Sequence, residues 1–175
     1  MSSEKSTLYD GTIAVAIGSL KALAHIVSVA EAHRDSASFL AARLHDDMEP
    51  FTFQVDTATD VAQRLLAKLL GLEPVEYDED SLTSYADLKA RLSEVMKTLE
   101  GADKDAINKR PTASVTVGVG ADKPRVTFFT SDYAYSAAMP NIYFHLCMAY
   151  AILRSRGVPL GKSDYMDSFF APYTS

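Results

Sequence analysis

Apolar residues recur near the start of the chain at alternating spacings of four and three: Tyr9, Ile13, Ala16, Leu20, Leu23, Val27 and Ala30. Such spacing lays side chains along one stripe of an α-helix, so it predicts a first helix of about six turns beginning near Leu8. A polar stretch from His33 to Ser38 follows, then a short helical turn over Phe39 to Leu44. The alternation returns at Met48, Phe51, Val55, Ala58, Ala62, Leu65 and Leu69, predicting a second helix stopped by Gly71. Glu73 to Ser81 holds Pro74 and five acidic residues without periodicity, and reads as a solvated loop. Ser84 is placed to cap a third helix with Asp87 in its first turn. Tyr85, Leu88, Leu92, Val95 and Leu99 form the seam of that helix and Gly101 its end.

The period then changes to two. Val115, Val117 and Val119 precede Gly120-Ala121-Asp122-Lys123-Pro124, and Val126 and Phe128 follow. This predicts a hairpin between Ala113 and Phe129 with one face on the helices. Thr130 or Ser131 opens a fourth helix. Pro140 either kinks that helix or restarts it, because proline lacks a backbone donor and disfavours α geometry at Met139. Gly157 and Pro159 end it. The last residues, with Tyr165, Met166, Phe169, Phe170 and Tyr173, are too apolar to remain in water, and are expected to pack on the bundle or on a second subunit. Four seams and one hairpin predict a mainly α fold, an antiparallel four-helix bundle forming a single domain over residues 1–175. No internal repeat or low-complexity tract is present.

Composition narrows the partners. Of 175 residues 47% are hydrophobic, enough for one core. Seventeen Lys and Arg against twenty-three Asp and Glu give a charge of -6, with no basic run longer than two residues, which argues against a nucleic-acid partner. The apolar stretch Ile142 to Leu153 is broken by His145 and is shorter than the roughly 20 residues of a membrane span, so it reads as a buried helix and no membrane partner is expected. The start of the chain does not have the basic-then-apolar order of a secretory signal, and the lone Cys147 suits a reducing compartment; a cytoplasmic location is expected.

Candidate chemistry lies where polar residues interrupt apolar helices. The stretch Pro140 to Leu153 is apolar on nearly every side, which marks it as the central helix. Its exceptions Asn141 and His145 are four apart and share a face. On helix two, Asp47 and Gln54 are seven apart and border the seam. If helices two and four are neighbours, these four residues converge in one cavity, with His145 available for proton transfer and Asp47, Gln54 and Asn141 as ligand-binding groups. The plainer reading is a buried polar network whose members satisfy one another, with Asp46 and Asp47 in the first turn of helix two. Cys147, among Leu146 and Met148, is expected to be a small buried hydrophobe. His25, His33 and His45 have no metal-ligand spacing. The run Gly157 to Ser163 is one residue short of a phosphate loop and follows a helix, which excludes it.

The segments AARLHDDMEPFTFQV (Ala41 to Val55) and MPNIYFHLCMAYAILRSRGVPLGKSDY (Met139 to Tyr165), with Leu8-Tyr9 near the start, resemble the domain-of-unknown-function family numbered nineteen ninety-three. That family is similar in fold to the DinB and YfiT-like four-helix proteins, which include metal-dependent enzymes and thiol-dependent transferases. In that superfamily one histidine on helix two and two histidines four apart on helix four hold a divalent metal. The resemblance places the helix-four pair on Asn141 and His145 and the helix-two position near Gln54. Amides replace two of the three imidazoles and are poor ligands for zinc or nickel, so no metal and no cofactor are expected.

Three functions compete on these grounds. One is a pocket for a small, partly apolar organic molecule, with metal-independent acid/base chemistry at His145. The second is a metal-dependent hydrolase or thiol-dependent transferase of the DinB-like type. The third is a non-catalytic dimeric module, a homodimer joined through the aromatic tail.

Overall fold

A computed structural model describes residues 6–78, 81–118 and 124–174. Thr7 opens the first helix with a capping box: its hydroxyl accepts the Asp10 N–H, while the Asp10 carboxylate accepts the Thr7 N–H. The expected first helix is in fact two, α1 (Leu8–Gly11) and α2 (Ile13–Glu31). They are separated at Thr12, whose hydroxyl bonds back to the Leu8 carbonyl and whose backbone leaves α geometry, φ -128° and ψ -78°. The seam residues Ile13, Ala16, Leu20, Leu23, Val27 and Ala30 are fully buried. Leu8–Glu31, the span of α1 and α2 together, is the long apolar stretch among the described residues. By length (24 residues) and mean hydropathy (1.9) it could cross a membrane, but 56% of that window is buried inside the bundle.

The turn expected over Phe39 to Leu44 is present at its start, where the Ala42 N–H bonds the Phe39 carbonyl at 2.9 Å, and it is preceded by a 3-10 turn at Ser36–Ser38 that delivers Phe39 into the core. The second long helix, α3 (Phe51–Leu70), begins three residues after Met48. Pro50, extended at φ -72° and ψ 171°, sets this boundary, since a proline disfavours helical geometry at the residue before it. Gly71 ends α3 in the left-handed region, φ 74°, allowing the Leu72 N–H to reach the Ala67 carbonyl. The capping box of Ser84 and Asp87 opens α4 (Tyr85–Glu100) as expected. Asp103 then caps a short α5 (Lys104–Asn108), which the periodicity did not announce.

Strands β1 (Ser114–Gly118) and β2 (Arg125–Phe129) pair antiparallel, with Val115 opposite Phe128 and Val117 opposite Val126. These four residues form the face turned to the helices, and Val115 is buried. Val119, expected in the first strand, and Gly120 to Lys123 of the expected turn lie outside the described residues.

After β2 the chain runs through α6 (Thr130–Tyr133), a π turn over Ala134–Ala138, and α7 (Met139–Ser155). Met139 retains α geometry, φ -63° and ψ -46°, contrary to the expectation from Pro140. The π turn absorbs the proline instead. The Met139 N–H reaches back five residues to the Ala134 carbonyl, and the widened turn makes room where the proline ring would otherwise strike the preceding turn.

Helix α3 packs along α7, and α2 packs on α4, α7 and the tail helix α8 (Lys162–Phe170), while α4 closes on α3. The four long helices thus form an antiparallel four-helix bundle. The tail finds its partner within the chain: Phe169 lies so near Gly18 that a Cβ there would be 3.2 Å from its ring.

Candidate functional site

Gln54 and His145 are the expected site residues that the fold brings together. Gln54 sits in the first turn of α3, 3% exposed, and its amide nitrogen donates to the carbonyls of Glu49 (3.1 Å) and Pro50 (3.3 Å). Both amide hydrogens are therefore spent on the chain ahead of the helix. The amide oxygen faces α7, where His145 Nδ1 lies 2.8 Å away. An oxygen can only accept, so Nδ1 carries the imidazole proton and Nε2 keeps its lone pair.

His145 is 8% exposed, and burial holds its pKa down at about 4 from the ordinary 6.5. Its ring meets Phe144 edge-on, centroids 5.2 Å apart at 90°, and Phe53 at 5.9 Å and 65°. Both phenylalanines are largely exposed. Among the described residues no buried side-chain nitrogen or oxygen lacks a partner, and the hydrogen bond of His145 is made at Nδ1. Nε2 is therefore not wholly sealed from water, and stands as a neutral acceptor beside two aromatic rings.

Asn141 and Asp47 do not join the pair. The buried seam of α7 runs through Ile142, Leu146, Ala149 and Leu153. At about 100° per residue, His145 lies on the flank of that seam and Asn141 about 40° further out, where its side chain is exposed. Asp47 precedes Pro50 and so is not on the helix. The seven-residue relation to Gln54 fails, and Asp47, 83% exposed, pairs with His45 at 2.6 Å. Cys147 is also exposed, contrary to expectation, on the α7 face nearest α8. There it touches Tyr165, whose phenol is pushed up to about 12 by burial and then by the nearby thiol. His25 ties α2 to α8 through Asp164 at 2.6 Å, and His33 packs on the Phe39 ring.

The donors do not suit the metal that the superfamily implies. Nδ1 of His145 and the oxygen of Gln54 are committed to each other, Asn141 is turned to water, and the described residues hold no cluster of three or more His, Cys, Asp or Glu able to bind an ion.

The acidic segment after α3 is not simply solvated. Gln63 holds Val75 by two hydrogen bonds, at 2.8 and 3.0 Å. Arg64 joins Asp60 to Glu76, and Tyr77 lies under the Arg91 guanidinium at 3.4 Å. Glu79 and Asp80 of this segment lie outside the described residues. A cavity of about 630 Å³ opens between α3 and this segment, walled on α3 by Phe53, Asp56 and Asp60 and on the other side by Glu76, Tyr77 and Leu82. Periodicity passed it over. The available signal was Arg91, a basic residue three positions after the seam residue Leu88; it proves buried and bonded to Asp56 at 2.9 Å and Ser81 at 3.1 Å.

Residues 8–166 match the family described as Domain of unknown function (DUF1993). The chain belongs to this family. The DUF1993 protein is also similar to a solved structure, that of a DinB family member protein from Shewanella denitrificans. The two are 32% identical, with 91% of each chain covered and a TM-score of 0.80. That likeness agrees with a DinB/YfiT-like bundle. No significant match is found among curated proteins.

Proposed function

We propose that this DUF1993 protein binds a small, partly apolar organic molecule at the junction of α3 and α7, through His145 Nε2 and the rings of Phe53 and Phe144. The observation that carries the reading is the Gln54 amide. Its committed hydrogens fix the tautomer of a buried imidazole whose Nε2 keeps its lone pair. A neutral acceptor beside aromatic surface suits a ligand with one hydroxyl or N–H on an apolar body. It disfavours a carboxylate, whose charge would meet the Nε2 lone pair. With its pKa near 4, His145 binds a proton about 300-fold more weakly than an ordinary imidazole, which favours recognition over proton abstraction.

The test is nitrogen-15 NMR of the histidine rings at pH 7, with phenol, anisole and benzoate as probes. The expected result is a protonated Nδ1, an Nε2 signal that moves with phenol and neither of the others, and loss of the response in His145→Phe. An Nε2-protonated ring, or equal response to phenol and anisole, would overturn the proposal.

A further inference from the structure

The cavity beside α3 does not contain His145, and its chemistry differs. Its outer wall is pinned at several points: Gln63 to Val75, Arg64 to Glu76, and Arg91 to Tyr77 and Ser81. The site is therefore formed before any ligand arrives. Among the described residues its charges can be paired off. Arg43 stands 3.6 Å from Glu49, and the buried Arg91 bonds Asp56. Arg64 must serve two carboxylates, donating through Nε to Asp60 at 2.7 Å and through Nη2 to Glu76 at 2.8 Å. The Asp60–Arg64–Glu76 group thus carries one negative charge in excess, inside a concave wall that strengthens its field. Pro50, Leu82 and the exposed ring of Phe53 supply apolar surface in the same cavity.

We infer that this cavity is a second binding site, and that it takes a monocationic organic amine. The ammonium lies on the carboxylates of Asp60 and Glu76, and the apolar body on Pro50, Phe53 and Leu82. An ammonium supplies the positive charge the group lacks and donates charge-assisted hydrogen bonds to oxygens that still have lone pairs. Phe53 adds an aromatic face for the cation or its apolar body. An anionic ligand would have to displace Glu49 from Arg43 or a carboxylate from Arg64.

The experiment is calorimetric titration of the full chain with phenethylamine, N-acetylphenethylamine and 3-phenylpropionate, up to about 10 mM. The amine is expected to bind and the two analogues are not. Affinity should fall several-fold between about 0.05 and 0.5 M NaCl. Asp60→Asn should weaken binding about tenfold, a loss typical of a charge-assisted contact. Glu76→Gln, on an exposed side chain, should weaken it in the same direction. Phe144→Leu, at the site of α3 and α7 but no part of this cavity, should leave amine affinity within about twofold, so the two sites can fail separately. No amine binding by folded protein, 3-phenylpropionate binding as tightly as the amine, or amine affinity unchanged in both acidic-site variants would each overturn the inference.

Discussion

His145 makes the stability of the bundle depend on pH in a direction that can be worked out. Its folded pKa, about 4, lies below the ordinary 6.5 expected once the chain unfolds. Below 6.5 the unfolded chain takes up a proton that the folded chain refuses until about pH 4. Unfolding is therefore favoured progressively as pH falls through that window, and the stability contributed by the neutral imidazole is complete only above it. At 1.36 kcal/mol per pKa unit, the full shift corresponds to a ceiling of about 3 kcal/mol. Water at the open Nε2 edge screens part of this, which leaves about 1 to 2 kcal/mol. The perturbation is His145→Gln, which keeps a hydrogen-bonding group near Gln54 but does not titrate. Urea unfolding of both proteins at pH 7 and pH 4.5 should show the wild type losing about 1 to 2 kcal/mol more than the variant. Asp10, lowered from 3.8 to about 2, does not confuse the comparison. Its contribution is present above 3.8 and is lost as pH falls toward 2, below the window tested. Equal losses in the two proteins would refute the argument that burial keeps His145 neutral.

Two other predictions concern the surroundings. Arg91→Met removes the bonds to Asp56 and Ser81 and the stack on Tyr77; it should cost about 2 kcal/mol and lower the melting temperature by about 4 to 8 °C in calorimetry. A change under about 1 °C would show that the acidic segment does not depend on this clamp. Protein purified without added metal should carry no stoichiometric zinc, nickel or iron in elemental analysis, because the donors at Gln54 and His145 are committed to each other. Stoichiometric metal that disappears in His145→Ala would show that the pair opens to bind it.

The sequence alone determined the four long helices, the Ser84 cap, the Gly71 stop and the hairpin, because these follow from neighbours a few residues apart. Seam spacing, the Ser84 and Asp87 capping box, Gly71 as a left-handed stop and the alternation from Val115 to Phe128 are all local signals. It also singled out Gln54 and His145 as polar interruptions of apolar faces. Their pairing depends on α3 lying against α7, which no local pattern contains. Tertiary structure decided the rest. Asn141 shares the side of the helix with His145 but falls outside the seam by a rotation of about 40°, so one turn separates a buried group from a solvated one. Asp47 lost its place because Pro50 moved the helix start downstream, and Cys147 is exposed because α8, through Tyr165, covers its side of α7 only in part. The acidic segment is the exposed loop that its charge and proline predict. What they do not show is its attachment to Gln63, Arg64 and Arg91, whose partners lie 10 to 35 positions away in the chain. Burial of a polar side chain is set by what faces it across the bundle, and a sequence specifies that only through the completed fold.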